Sequence, residues 1–219
     1  MSIRDNVAAV EERISAACAR ASRTRSEVTL VAVSKTFPAS MIDDAIAAGL
    51  MEIGENRVQE ARDKKPSVHG AARWHLIGHL QSNKAKDAAG LFDVIQTVDS
   101  LALAEKIGRA ADAVGKRQDV LLEVNIGDER QKSGVATSAL DALARDVRNI
   151  AALRVRGLMS IPPVGSEEQT RRYFRQLRAL RDALGMDELS MGMSEDFEIA
   201  IEEGSTMVRI GRAIFGSRG

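Results

Sequence analysis

The sequence predicts an α/β fold: a (β/α)8 barrel of the TIM type preceded by an extra N-terminal helix. Three observations carry this expectation. Eight short apolar runs of β-type composition recur at 28–34, 51–54, 74–78, 93–98, 120–125, 155–161, 189–193 and 207–211. The segments between them are polar and compatible with helical spacing, and strands that alternate with helices demand a parallel sheet. Eight such units in 219 residues close most economically into a barrel. The competing fold, an open doubly wound sheet, wants a glycine-rich turn after its first strand, and Ser34-Lys35-Thr36-Phe37-Pro38 is not one. There is no composition break, repeat, low-complexity segment or linker, so residues 1–219 read as a single domain.

Taken in order, Ile3, Val7, Val10, Ile14 and Cys18 recur at helical spacing and give the extra amphipathic helix, with Cys18 on its apolar face. The run 28–34 follows as the first strand and delivers Lys35 at its end. Pro38 lies near the start of the next helix and Gly49 after its end. Ser100 precedes Leu101-Ala102-Leu103, and Gly115 closes that helix. Ser166-Glu167-Glu168-Gln169 has the form of a capping box, leading into a helix that buries Phe174, Leu177, Leu180 and Leu184 before Gly185. The last run feeds Gly211 and a short helix beginning near Arg212.

The 31 basic residues balance the 31 acidic ones, so no global field draws the chain to nucleic acid or to an anionic membrane, and any anion site is local. One cysteine excludes an internal disulfide and fits a reducing compartment. Residues 1–6 show no signal-peptide core, and no stretch approaches the roughly 18 apolar residues that span a bilayer. A cytoplasmic protein is expected.

In a barrel the carboxyl ends of the strands build the active face, with a phosphate site commonly after the seventh and eighth strands. Lys35 ends the first strand, which closes beside the eighth, so an amine and a phosphate seat become neighbours. Gly211 lets backbone amides approach an anion, and a helix starting near Arg212 points its N-terminus at it. Ser194 is placed to cap a helix and to donate its hydroxyl to a phosphate oxygen. Glu195 and Asp196 oppose an anion if they point inward. Arg209 shares a strand face with Gly211, either facing a ligand or forming an interior ion pair with Glu123 or Glu52. Its permanent charge would lower the pKa of a nearby lysine and favour the free amine that attacks an aldehyde. A lysine, an arginine and a phosphate seat in one pocket suggest pyridoxal phosphate held as a Schiff base.

Other residues carry less. Asn56, in Glu55-Asn56-Arg57, suits either the pocket rim or a helix cap. His75 and His79 share one side of the third strand without a carboxylate or cysteine cluster, so structural histidines are preferred to a metal site. Asn125, Lys132 and Gly134 suggest a mobile polar loop. Arg171, Arg175, Arg178 and Arg181 read as a solvated helix face, with a partner surface as the alternative.

Five segments then point to a family: Val31-Ala32-Val33-Ser34-Lys35, Gly54-Glu55-Asn56-Arg57-Val58-Gln59-Glu60, the run from Trp74 to Lys84, Gly157-Leu158-Met159, and Val208 to Gly216 with its Arg209-Ile210-Gly211-Arg212 centre. Together they closely resemble the pyridoxal phosphate homeostasis protein family, over about residues 28–216. The resemblance implies a single-domain barrel like that of alanine racemase, with pyridoxal 5'-phosphate on Lys35. It further implies that Arg209 faces the pyridine nitrogen, while Ser194, Gly211 and Arg212 hold the phosphate. The implied role is intracellular vitamin B6 homeostasis, buffering or delivering the cofactor to pyridoxal phosphate-dependent apoenzymes, with no catalytic reaction.

A racemase of this fold type needs a second base, usually a tyrosine supplied with an additional β domain, and the one tyrosine, Tyr173, sits in an amphipathic helix. The same missing domain removes the usual racemase dimer contacts, so a monomer is expected. Two other readings stay open: a pyridoxal phosphate-dependent racemase or transaminase-type enzyme, and a Schiff-base aldolase acting on a sugar phosphate. Aldolases usually place the lysine on a middle strand, which argues against the last.

Overall fold

The computed structural model describes residues 2–129 and 131–216. Its strands are β1 (Thr29–Val33), β2 (Glu52–Glu55), β3 (Arg73–Leu76), β4 (Val94–Val98), β5 (Gln118–Asn125), β6 (Val135–Ala136), β7 (Leu153–Met159), β8 (Glu188–Ser190) and β9 (Met207–Ile210). The helices are α1 (Ile3–Arg20), α2 (Ala39–Ala47), α3 (Val58–Lys64), α4 (Ala85–Leu91), α5 (Leu101–Asp112), α6 (Leu140–Arg148), α7 (Glu167–Ala183), α8 (Phe197–Glu202) and α9 (Arg212–Phe215).

The sheet order β4-β3-β2-β1-β9-β8-β7-β5 is parallel throughout, and β4 pairs with β5 to close an eight-stranded barrel. The expected (β/α)8 architecture with its extra leading helix is therefore what forms. Closure at the first and last strands is in register, Thr29 with Met207 and Val31 with Arg209. The two-residue β6, which the sequence reading did not anticipate, pairs with Val124 and Asn125 outside the ring.

Alternation explains the two sides of each strand. On β1, Leu30 and Ala32 join the apolar layer between strands and helices, while Val33 points to the inside of the mouth. Several runs outlast their ladders: β3 ends at Leu76 and β8 at Ser190, although Ile77 and Met191 stay buried. Side chains at a barrel mouth remain covered after backbone pairing has stopped, so hydrophobicity overstates strand length there.

The helix punctuation holds. Pro38 occupies the N-cap position of α2, and Gly49, Gly115 and Gly185 take positive φ after α2, α5 and α7. Ser166 and Gln169 form the reciprocal capping box of α7, which buries Phe174 and Leu177, whereas Leu180 and Leu184 are only partly buried. Ser100 stands at the N-cap of α5 but accepts no side-chain capping bond. Helix α1 buries Val7, Val10, Ile14, Ala17 and Cys18 against α2, α8 and α9. Its Asn6 Nδ2 donates to Ile214 O at 2.9 Å, tying the first helix to the last. No helix among the described residues is long and apolar enough to cross a membrane.

Candidate functional site at the carboxyl mouth of the barrel

A cavity of about 230 Å³ opens at the carboxyl ends of the strands. Lys35, Asn56, Ser194, Arg209, Gly211 and Arg212, the six residues singled out from sequence, all line it. They come from just beyond β1 and β2, from the segment following β8, and from β9 and the turn after it.

Lys35 lies in the turn just beyond β1, where the ladder adds one further bond, Ser34 N to Gly54 O at 3.0 Å. The next residue, Thr36, has φ 69°, a left-handed conformation costly for a β-branched side chain. The surroundings hold it there. Thr36 N donates to Glu60 Oε2 at 2.9 Å, Phe37 N donates to Ser34 O at 3.1 Å, and the Phe37 ring stacks on Phe215 at 5.2 Å. Beneath the turn Glu55 is fully buried and accepts from Lys64 Nζ and Ser34 Oγ, both at 2.7 Å, while Lys64 also donates to Ser34 O at 2.9 Å. Burial pushes the Glu55 carboxyl above its ordinary range, against the pull of Lys64 and Ser34.

Asn56 is on the rim rather than a cap, since the N-cap position of α3 belongs to Arg57. Its carbonyl runs against Gly78, where an added Cβ would sit 2.3 Å from Asn56 O, so only glycine allows that approach.

Arg209 is 3% exposed and forms the floor. Its Nη1 donates to Ser190 Oγ at 2.6 Å and its Nη2 to Ser160 O at 3.0 Å. Among the described residues the salt bridges include none from Arg209 to Glu123 or Glu52; Glu52 pairs instead with His75 Nε2 at 2.5 Å. Burial lowers the Arg209 pKa to about 10, opposed by the nearby charges of Asp196 and Glu123, so the guanidinium stays charged at neutral pH. Burial, with Asp99 beside it, raises the Glu123 carboxyl to about 7, and its Oε2 has no hydrogen-bond partner.

The capping role expected for Ser194 is not what forms. Phe197 N bonds to Met193 O at 2.8 Å and Asp196 Oδ1 accepts from Met193 N at 2.7 Å, closing a turn that delays α8 until Phe197. Ser194 lies within that turn, its hydroxyl not spent on a helix end. Asp196 is thereby committed to Met193 N, and Glu195 is largely exposed at the rim, 3.9 Å from Arg212 Nη1. Solvent screens Glu195, which weakens its opposition to an anion.

At Gly211 an added Cβ would lie 3.1 Å from Val33 O, so β9 and β1 stay close as the chain turns into α9. Ile214 and Phe215 return their amides to Gly211 O, while the amides of Arg212 and Ala213 precede the first helical bonds.

The sequence reading missed the walls: Val33, Phe37, Ile77, Ile161 and Met193. Period-two alternation back from Lys35 would have found Val33; the others follow strand ends and carried no separate signal. His75 is buried inside the barrel and His79 is half exposed outside the cavity, 3.3 Å from Ser133 Oγ. No group of three or more potential metal ligands occurs among the described residues. After β5, Asn125 Nδ2 donates to Glu129 O at 2.8 Å and Lys132 Nζ reaches Glu129 Oε2 at 2.5 Å. The arginine face of α7 is likewise not simply solvated: Arg171 and Arg175 both bond to Glu203 after α8.

Chemically the cavity offers a primary amine, two guanidinium groups, a hydroxyl, a side-chain amide and apolar walls. That donor set fits a flat aromatic aldehyde bearing an anionic tail. The model of the alanine racemase N-terminal domain family matches residues 6–219. The chain is 45% identical to the pyridoxal phosphate homeostasis protein of Escherichia coli K12, with 99% of this chain and 97% of the relative covered. A crystal structure of an unknown protein from Bifidobacterium adolescentis superposes with a TM-score of 0.93 at 41% identity, covering 97% of this chain and 94% of the other. PipY of Synechococcus elongatus PCC7942, a structure with PLP bound, gives 0.86 at 37% identity, covering 98% and 100%.

Proposed function

Since the chain belongs to the alanine racemase N-terminal domain family and, within it, to the pyridoxal phosphate homeostasis proteins, we propose that it binds pyridoxal 5'-phosphate as a Schiff base on Lys35 and serves intracellular homeostasis of that cofactor. The observation that carries this reading is convergence: an amine after β1 and an arginine on the paired strand β9 share one cavity with Gly211, Arg212 and Ser194.

When bound, the cofactor supplies an aldehyde that condenses with primary amines. Lys35 is the primary amine lining the cavity that would hold the cofactor through that aldehyde, in a condensation that releases water. Ser194, the amides after Gly211 and the Arg212 guanidinium would hold the phosphate, and Asn56 would border the ring. Arg209, with donors only, would face the pyridine nitrogen and leave it without a proton. An unprotonated ring is a weak electron sink, which favours a holding role over racemisation or transamination. The relatives' names point the same way, being those of homeostasis proteins rather than of a reaction. Tyr173 lies on α7 and does not line the cavity, so it supplies no second base there.

In this reading residues 1–219 act as one cofactor-binding barrel, monomeric and cytoplasmic, releasing the cofactor to pyridoxal phosphate-dependent apoenzymes. Titration of the purified protein with the cofactor tests it. A Schiff-base absorbance band in the wild type that is lost in Lys35→Ala supports the reading; a band that persists in the variant assigns the bond to another lysine. A rate of α-hydrogen exchange in amino acids typical of an enzyme would replace it with the racemase alternative.

A further inference from the structure

A chain of hydrogen-bonded side chains runs through the interior of the barrel and ends at Arg209. Arg209 Nη1 donates to Ser190 Oγ at 2.6 Å, and Ser190 Oγ donates to Gln96 Oε1 at 2.7 Å. Gln96 Nε2 lies 2.9 Å from His75 Nδ1, and His75 Nε2 lies 2.5 Å from Glu52 Oε2. Ser190, Gln96 and His75 are fully buried, whereas the Glu52 side chain keeps 24% of its surface exposed. The five residues come from β9, β8, β4, β3 and β2, and the four bonds between them cross the barrel rather than following a strand.

The direction of every bond follows from its last member. A guanidinium has donors only, so Ser190 Oγ accepts from it and passes its single proton to Gln96 Oε1. The Gln96 amide nitrogen then faces His75, with Met207 Sδ 3.0 Å away as its second neighbour. His75 Nδ1 is thus an acceptor, the ring proton sits on Nε2, and that proton points at the Glu52 carboxylate. No donor meets a donor and no acceptor meets an acceptor. Apolar side chains would fill this interior without the risk of unsatisfied groups, so a complete one-way chain invites a functional explanation.

We propose that Ser190, Gln96 and His75 are positioning residues for cofactor binding that act through Arg209. Ser190 anchors one guanidinium nitrogen and Ser160 O the other, which fixes the plane of the group. Gln96 and His75 in turn fix the Ser190 hydroxyl as acceptor toward Arg209. The remaining Arg209 donors are held toward the cavity. This inference rests on the reading that Arg209 faces bound pyridoxal phosphate.

The test compares Gln96→Met and Ser190→Ala in the wild-type and Arg209→Gln backgrounds. Two readouts are followed: the dissociation constant for pyridoxal phosphate by fluorescence titration, and the induced circular dichroism of the bound cofactor, which reports its orientation. Each single substitution is expected to weaken binding about tenfold, the lower end of what outer-layer hydrogen-bonding partners cost at other sites, and to change the dichroism. Ser190→Thr, which keeps the hydroxyl, restores both. In the Arg209→Gln background Gln96→Met adds less than about twofold, because its route of action is gone.

Unchanged affinity and dichroism in folded Gln96→Met and Ser190→Ala overturn the proposal, as does an equal effect in both backgrounds. Ser190→Ala removes a single atom and carries the test if Gln96→Met does not fold. A wild-type protein with no Schiff-base band overturns the cofactor reading and this proposal together; a normal band with silent variants overturns the proposal alone.

Discussion

Glu123→Gln should make the protein more stable, and only at neutral to alkaline pH. Glu123 is 9% exposed, its Oε2 is unpaired, and burial with the neighbouring Asp99 raises its pKa from 4.5 to about 7. An acid whose pKa is higher in the folded state binds more protons folded than unfolded. Its favourable contribution is therefore intact below pH 4.5, falls as the pH rises, and is lost above about 7. At 1.36 kcal/mol per pKa unit the loss is about 3 kcal/mol. Glutamine keeps the shape and stays neutral, so the variant escapes it. In a chain of this size that corresponds to a melting temperature higher by roughly 6 to 12 °C at about pH 8.5, shrinking to nothing near pH 4.5. Thermal melts of both proteins across that range, followed by far-ultraviolet circular dichroism, supply the comparison. A gap that does not change with pH, or a variant less stable at alkaline pH, refutes the placement of an unpaired carboxyl beside Arg209 and Asp99.

Two further substitutions probe the framework beneath the cavity. Lys64→Met leaves the buried Glu55 carboxyl without its cation and should destabilise the protein by about 3 to 5 kcal/mol in chemical denaturation; a loss below about 1 kcal/mol would mean Glu55 is not held by that pair. Gly78→Ala forces a Cβ into the Asn56 carbonyl, so stability should fall by about 1 to 3 kcal/mol and pyridoxal phosphate affinity should fall with it, measured by melting and titration on the same samples. Unchanged values on both counts would show that the Asn56 backbone has room to move.

Much of the fold was legible because its signals are local and repeated. Strand composition, capping residues and glycine stops each need only a few neighbours in sequence, and the Ser166 box and the glycines after α2, α5 and α7 behaved accordingly. The pairing of the strand that leads to Lys35 with the last strand was also legible, since barrel closure fixes which ends meet. Residue type alone favours a cap at Ser194, but the turn closed by Asp196 outcompetes it. The Ser190, Gln96 and His75 chain was invisible for a different reason. Isolated polar residues inside apolar runs look like imperfections until five strands bring them together. β6 was too short to leave any periodicity.

Attachment of the cofactor to Lys35 is read out by reducing the cofactor-loaded protein with borohydride, digesting it and locating the pyridoxyl group by mass spectrometry. One modified peptide, carrying the group on Lys35, is expected; modification at a different lysine, or none in protein saturated with cofactor, contradicts Schiff-base binding at Lys35.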